Sequence, residues 1–221
     1  MSFLEIACFN SESALVAQAA GADRIEFCAE MSAGGVTPSL SSLREIRDRI
    51  TIPIYVMIRP RGGDFVYTER EFEIMKLDVM RFKDVVNGFV FGILDHDGNV
   101  DVRRNCELTQ LAHPLPCTFH RAFDATANPG LALSDVIECE FQSILTSGCE
   151  ANAVAGSDML SNLVQGSKGL IEIMPGGGVR SSNIGTLKSC TGAKWYHSSA
   201  VTGQGEAADE VEIANLKAQL A

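Results

Sequence analysis

Short apolar runs alternate with longer amphipathic stretches along the whole chain, and the two periods predict two kinds of element. Runs rich in β-branched and aromatic residues, bounded by polar or glycine positions, read as strands over 3–8, 24–28, 53–58, 88–94, 115–119, 142–145, 170–174 and 193–196. Between them, stretches with apolar positions three and four apart read as helices over 11–20, 39–49, 68–82, 101–111, 129–139, 152–165, 181–189 and 207–220. Several carry their own start or stop. The first closes at Gly21, the second opens on Ser39, and the third opens on Thr68-Glu69-Arg70-Glu71, a capping box.

Strands and helices in unbroken alternation predict parallel pairing, because consecutive parallel strands need a crossover of helical length. Eight such units are the number that closes a sheet on itself. The expected fold is α/β, a single compact (β/α)8 TIM barrel over 1–221, shorter than the roughly 250 residues usual for that architecture. An open doubly wound sheet is the rival, but Cys8-Phe9-Asn10 stands where its glycine-rich phosphate turn belongs.

Composition then limits the partners. Hydrophobic residues make up 46% and charged residues 21%, and no apolar run reaches the length of a membrane span, so a soluble protein with no membrane partner is expected. The segment Met1-Ser2-Phe3-Leu4-Glu5-Ile6 has no basic region of a secretory signal, which predicts a cytoplasmic location. A net charge of −10 without a basic run argues against nucleic acid, so any anion site must be local. The seven cysteines, at 8, 28, 106, 117, 139, 149 and 190, contain no Cys-x-x-Cys pair and read as reduced thiols, mostly core.

In a barrel, polar residues at the C-terminal ends of strands share one pocket. By strand these are Glu5; Glu26; Arg59 with Arg61 and Asp64; His120, Arg121 and Asp124; Ser147; and His197 with Ser198. Arg59 and Arg61 read as an anion clamp, with Gly62 and Gly63 allowing close backbone approach. Glu5 and Glu26 sit inside apolar strands and each needs a partner or must become neutral, and Arg59 is the expected partner. His120, with Asp124 in reach, suits general acid or base work, and Glu26 or Glu5 would be its counterpart. Gly176, Gly177 and Gly178 after the seventh strand, with His197 and Ser198 after the eighth, form the expected phosphate or carboxylate site, joined by Arg121 and Ser147. His96 reads as part of a β-turn, His113 as a helix-end cation and Trp195 as core.

The segments Ala22-Asp23-Arg24-Ile25-Glu26-Phe27-Cys28, Gly34-Gly35-Val36-Thr37-Pro38-Ser39, Met57-Ile58-Arg59-Pro60-Arg61-Gly62-Gly63-Asp64-Phe65, Thr118-Phe119-His120-Arg121-Ala122-Phe123-Asp124, Leu145-Thr146-Ser147-Gly148 and His197-Ser198-Ser199-Ala200 resemble the CutC copper homeostasis family. The resemblance implies a (β/α)8 barrel, a cytoplasmic location and a homo-oligomer, dimer or tetramer. It also implies copper(I) as a ligand of strand-end cysteines, which makes Cys28 the metal candidate, with Met31 or Met57 as further sulfur donors. By strand alternation Glu26 and Cys28 share a face, whereas Ala7 stands where family members can carry the second inward cysteine, and Cys8 points to the other face. Three readings stay open. They are a copper-binding homeostasis protein, an enzyme using acid/base chemistry on a small anionic substrate, and a scaffold whose ionic rim only stabilises the barrel.

Overall fold

Eight strands and eight helices alternate through residues 2–221, the residues that the structure, a computed structural model, describes. The strands are β1 Phe3–Cys8, β2 Arg24–Phe27, β3 Ile54–Met57, β4 Gly88–Phe91, β5 Cys117–Phe119, β6 Ser143–Thr146, β7 Glu172–Pro175 and β8 Trp195–Ser198. The helices are α1 Ser11–Ala19, α2 Leu40–Arg47, α3 Glu69–Phe82, α4 Val102–Ala112, α5 Pro129–Glu138, α6 Ser157–Gly166, α7 Ile184–Thr191 and α8 Glu210–Leu220. Paired strands are all parallel, in the order β7-β6-β5-β4-β3-β2-β1-β8. The end strands β7 and β8 pack side by side and bring the ring close to closure, as a (β/α)8 barrel.

Local chemistry starts the elements where it was expected to, with instructive exceptions. Thr68 and Glu71 form the reciprocal capping box that opens α3. α6 starts at Ser157, later than the pattern predicts, because the Asn152 side chain accepts from Val154 and Ala155 N–H and holds a turn there. β8 runs on through His197 and Ser198, which pair with β1 at Glu5 and Ile6. His96 is exposed in the turn that the Leu94–Val100 bridge closes.

Alternation sorts the strands into two environments. Leu4, Ile6 and Cys8, with Ile25, Phe27, Ile54, Val56 and Ile58, join the helices in one large core between strand ring and helix ring. Each such side chain, fully buried, contributes about 1.5–3 kcal/mol. The alternate positions fill the barrel itself. A small apolar cluster of Cys28, Tyr55, Met57 and Val90 lies there, and the rest of that interior is largely polar. Register sets the levels, because Glu5 pairs with Arg24 and His197, while Ala7 pairs with Glu26 one step nearer the C-terminal mouth.

Candidate functional site

The lower level is a closed charge network. Glu5, wholly buried, meets Arg24 Nε at 2.5 Å and His197 Nδ1 at 2.7 Å. The Arg24 guanidinium lies between the rings of Tyr55 and Trp195, 4.2 and 4.1 Å from their centroids, so it keeps its charge inside the barrel through cation–π contact and pairing. Burial pushes the Glu5 carboxyl up, but Arg24 and then His197 outweigh it and hold it at about 2. Trp195, expected in the core, is half-buried and stacks on Phe3 at 4.9 Å.

One level up, the chemistry changes. Glu26 is buried, and its Oε2 has no hydrogen-bond partner. Burial raises its carboxyl to about 7, with His197 pulling it down and Glu5 pushing it up. Burial lowers the His197 imidazole, but Glu26 and Glu5 outweigh that and raise it. Across the mouth, His120 Nδ1 accepts the Ala122 backbone N–H at 3.2 Å, which leaves the ring proton on Nε2. That Nε2 is buried and unpartnered too. Burial, then the neighbouring Arg59 charge, lowers the imidazole to about 3, so the ring is neutral at neutral pH. Phe65 packs on it at 4.9 Å, and a Cβ on Gly92 would lie 2.9 Å from its Nδ1, so only glycine leaves this ring its place.

Glu26, His120 and His197 line a cavity of about 190 Å³ at the C-terminal mouth. Arg59, Arg121 and Arg180 also line it, together with Gly177, Gly178, Ser198 and Ser199. Arg59 is tied by backbone carbonyls of Ala33, Gly35 and Gly63, lies over the Phe65 ring at 4.7 Å, and pairs with no carboxylate among the described residues. Arg180 is anchored on the Val179 and Val201 carbonyls and on Ser198 Oγ. In a chain of net charge −10, three guanidinium groups gather at one opening, and two of them, Arg59 and Arg180, have no carboxylate partner among the described residues, whereas Arg121 is paired with Asp124.

Several sequence expectations are corrected. Arg59 is not the partner of Glu5 or Glu26, because Arg24, in register on the neighbouring strand, reaches Glu5 first. Arg61 and Asp64 do not clamp the mouth; Arg61 turns outward to Glu71 at 2.6 Å, Asp64 at 2.9 Å and the Val66 carbonyl. Asp124 is not free for proton transfer beside His120, since its carboxylate accepts from Thr146, Ser147 and Cys149 and pairs with Arg121, pinning the loop after β6. Ser147 serves the same loop, and Gly176 sits behind the cavity wall, where a Cβ would strike Leu145. Glu5 also lies behind the wall rather than on it. Arg24 and Arg180 are the residues the sequence reading passed over. Arg24 carried a signal, since it shares a strand face with Glu26.

Copper(I) asks for sulfur, and the sulfur at this end of the barrel is sparse. Cys8 lies in the outer core and its thiol meets the Ile6 carbonyl. Cys28 faces the interior beside Met57, but it does not line the cavity, its thiol meets the Cys8 carbonyl, and burial, then Glu26, pushes it well above the ordinary range. Met31 lies in the short 3-10 turn Met31–Ala33 that follows β2. Among the described residues, the one group of three His, Cys, Asp or Glu donors within 4.8 Å of one another is Glu5, Glu26 and His197. It contains no sulfur, and Arg24 already supplies its cation. These donors do not fit copper(I).

Fold and site together define a (β/α)8 barrel with a pocket at its C-terminal mouth, lined by a buried carboxyl, a neutral imidazole and three arginines. The chain belongs to the CutC family, whose profile matches residues 2–202. A Homo sapiens relative named copper homeostasis protein cutC homolog is 44% identical over 200 residues, 90% of this chain and 73% of its own length. A CutC family protein of Photorhabdus laumondii is 48% identical over 185 residues, covering 83% and 74% of the two chains. The crystal structure of CutC from Streptococcus agalactiae has a TM-score of 0.85 at 30% identity and covers 90% of this chain and 99% of that one. Phosphoribosyl anthranilate isomerase of Thermotoga maritima, with a TM-score of 0.68 at 13% identity over 100% of this chain and 98% of that one, shares the fold alone.

Proposed function

We propose that the barrel mouth binds a small anionic organic molecule and that Glu26 moves a proton on it. The observation that carries this reading is the Glu26 carboxyl, buried and without a partner at Oε2 in a cavity ringed by Arg59, Arg121 and Arg180. A carboxyl held at about 7 serves as acid and as base at neutral pH. The arginines, with backbone N–H of Gly177 and Gly178, suit a phosphate or carboxylate. A volume of about 190 Å³, against about 30 Å³ per water, suits a few carbons with one anionic group rather than a polymer. Titration calorimetry with inorganic phosphate tests the site. Arg180→Gln is expected to weaken binding about tenfold, a loss of about 1.4 kcal/mol; unchanged affinity, or no binding by the unaltered protein, defeats the reading.

The names of the relatives and the inward Cys28 beside Met57 favour a second reading, copper(I) held weakly by one thiol and one thioether. Copper(I) titration against a competing chelator decides it. Loss of stoichiometric binding in Cys28→Ala supports the site, and unchanged binding removes it. We further read the protein as a cytoplasmic homo-oligomer, which its seven free cysteines and the exposed Ile74, Leu77 and Met80 on α3 support; sedimentation gives the state directly.

A further inference from the structure

We propose that Glu26 and His120 act as a pair on a carbonyl compound, Glu26 exchanging a proton with the carbon beside the carbonyl while His120 donates a hydrogen bond to the carbonyl oxygen. The inference rests on the reading of the mouth as an anion site and names the chemistry that site would do. Glu26 Oε2, His120 Nε2 and Arg59 Nε are buried without partners on three residues that line one cavity, and leaving each so costs about 1–3 kcal/mol that a ligand reaching it would recover; of these, Glu26 and His120 can exchange a proton near neutral pH or polarise a carbonyl. They are of opposite kind. Glu26 presents an acceptor, and His120, because its Nδ1 is taken by Ala122 N–H, presents only a donor. They stand on β2 and just after β5, three strands apart in the ring, so a ligand lies between them rather than beside them.

A carbonyl with a hydrogen on the adjacent carbon offers both complements on neighbouring atoms. His120 cannot serve as a resident cation, since burial and Arg59 keep it neutral, but a neutral imidazole opposite a carboxylate base polarises a carbonyl well. Its orientation is fixed by Phe65, Ala122 N–H and the bare Gly92, so little reorganisation is needed at reaction. In the step, the Glu26 carboxylate takes the proton from carbon, the C–H electron pair becomes the C=C bond, and the carbonyl π pair moves onto oxygen against His120 Nε2–H. The protonated Glu26 trades that proton for one from solvent and delivers the solvent proton to the same carbon, giving exchange, or it delivers its proton to the former carbonyl carbon. Where the first carbon bears a hydroxyl, its O–H proton passes between the two oxygens through His120, and the net result is an aldose–ketose interconversion with no external oxidant. The guanidinium groups and Gly177–Gly178 hold the anionic end of the same molecule.

Solvent exchange tests the pair. The protein is incubated in D2O with glycolaldehyde phosphate, dihydroxyacetone phosphate and pentulose phosphates, and loss of the C–H proton beside the carbonyl is followed by NMR. Binding of 2-phosphoglycolate, which mimics the planar enediolate, is measured beside inorganic phosphate. We expect exchange above the buffer rate on at least one probe, falling at least about 100-fold in Glu26→Gln and in His120→Asn. We also expect 2-phosphoglycolate to bind at least about tenfold tighter than phosphate, and both variants to melt cooperatively and keep phosphate binding. Phosphate binding with neither exchange nor a preference for 2-phosphoglycolate overturns the pair and leaves the anion site standing. Absence of phosphate binding overturns both. Exchange that survives His120→Asn removes His120 from the assignment.

Discussion

Glu5 and Glu26 are buried carboxylates on neighbouring strands, each with an oxygen within 4.8 Å of one of the other's, yet one has two partners and the other has none at Oε2. Glu5 belongs to the floor of the barrel, where Arg24, His197, Tyr55 and Trp195 complete every charge contact. Glu26 belongs to the mouth, one register step up, where its strand neighbours are the small Ala7 and Tyr55 and it lines the cavity. Residue type and burial are the same. The partner set decides which carboxylate holds the fold and which is left for a ligand, because desolvation is offset in one place and not in the other.

Breaking the floor has the largest expected effect. Arg24→Met removes one of the two partners of the buried Glu5 charge, leaving only His197, and should cost about 3–5 kcal/mol in urea unfolding. Glu26→Gln, by contrast, should change stability by less than about 1 kcal/mol at pH 5, where the native carboxyl is already neutral. Equal losses in the two variants would erase the distinction between floor and mouth.

The pH dependence sharpens it, since the two carboxylates have opposite signs. Glu5, held at about 2 against an ordinary 4.5, binds fewer protons folded than unfolded; its stabilisation is full above pH 4.5 and is lost as pH falls toward 2. Glu26, held at about 7 against 4.5, binds more protons folded, so stability falls as pH rises from 4.5 through 7. His197, raised above 6.5, contributes in full below that value and less above it, in the same direction as Glu26. Urea midpoints against pH should show both slopes, and Glu26→Gln should flatten the upper one while sparing the lower.

A smaller effect is expected at the anion end. Gly177 has φ +87°, and a Cβ there would lie 3.2 Å from Arg121 Cζ and 3.3 Å from Ser147 Cβ. Gly177→Ala should cost about 1–2 kcal/mol by thermal melting and weaken phosphate binding. The smallest effect belongs to Arg61, whose contacts are on the exposed outer side: Arg61→Ala should stay within about 1 kcal/mol and leave phosphate affinity unchanged. A loss of affinity there equal to that in Arg180→Gln would put Arg61 back at the mouth.

Much of this was legible in the chain. The strand–helix alternation, the Thr68–Glu71 box and the count of eight units carry the barrel, because period and capping are local properties. Glu26, Arg59, His120, Gly177 and His197 were also readable, since a charged or glycine residue ending an apolar run in a barrel faces the mouth. Arg61 and Asp64 misled for the same reason. They follow Arg59 closely in sequence, but the chain turns at Gly62 and Gly63 and carries them outside.

By itself, then, the sequence determined the elements, their parallel arrangement and which residues could point inward, because hydrophobic period and turn chemistry act over a few residues. Only the tertiary structure decided who meets whom. Strand register set Arg24 rather than Arg59 against Glu5, gave Asp124 to the β6 loop, and left Glu26 and His120 facing a cavity with unpaired atoms. Pairing across a barrel depends on stagger and on competition among many donors at once, and no local pattern encodes the winner.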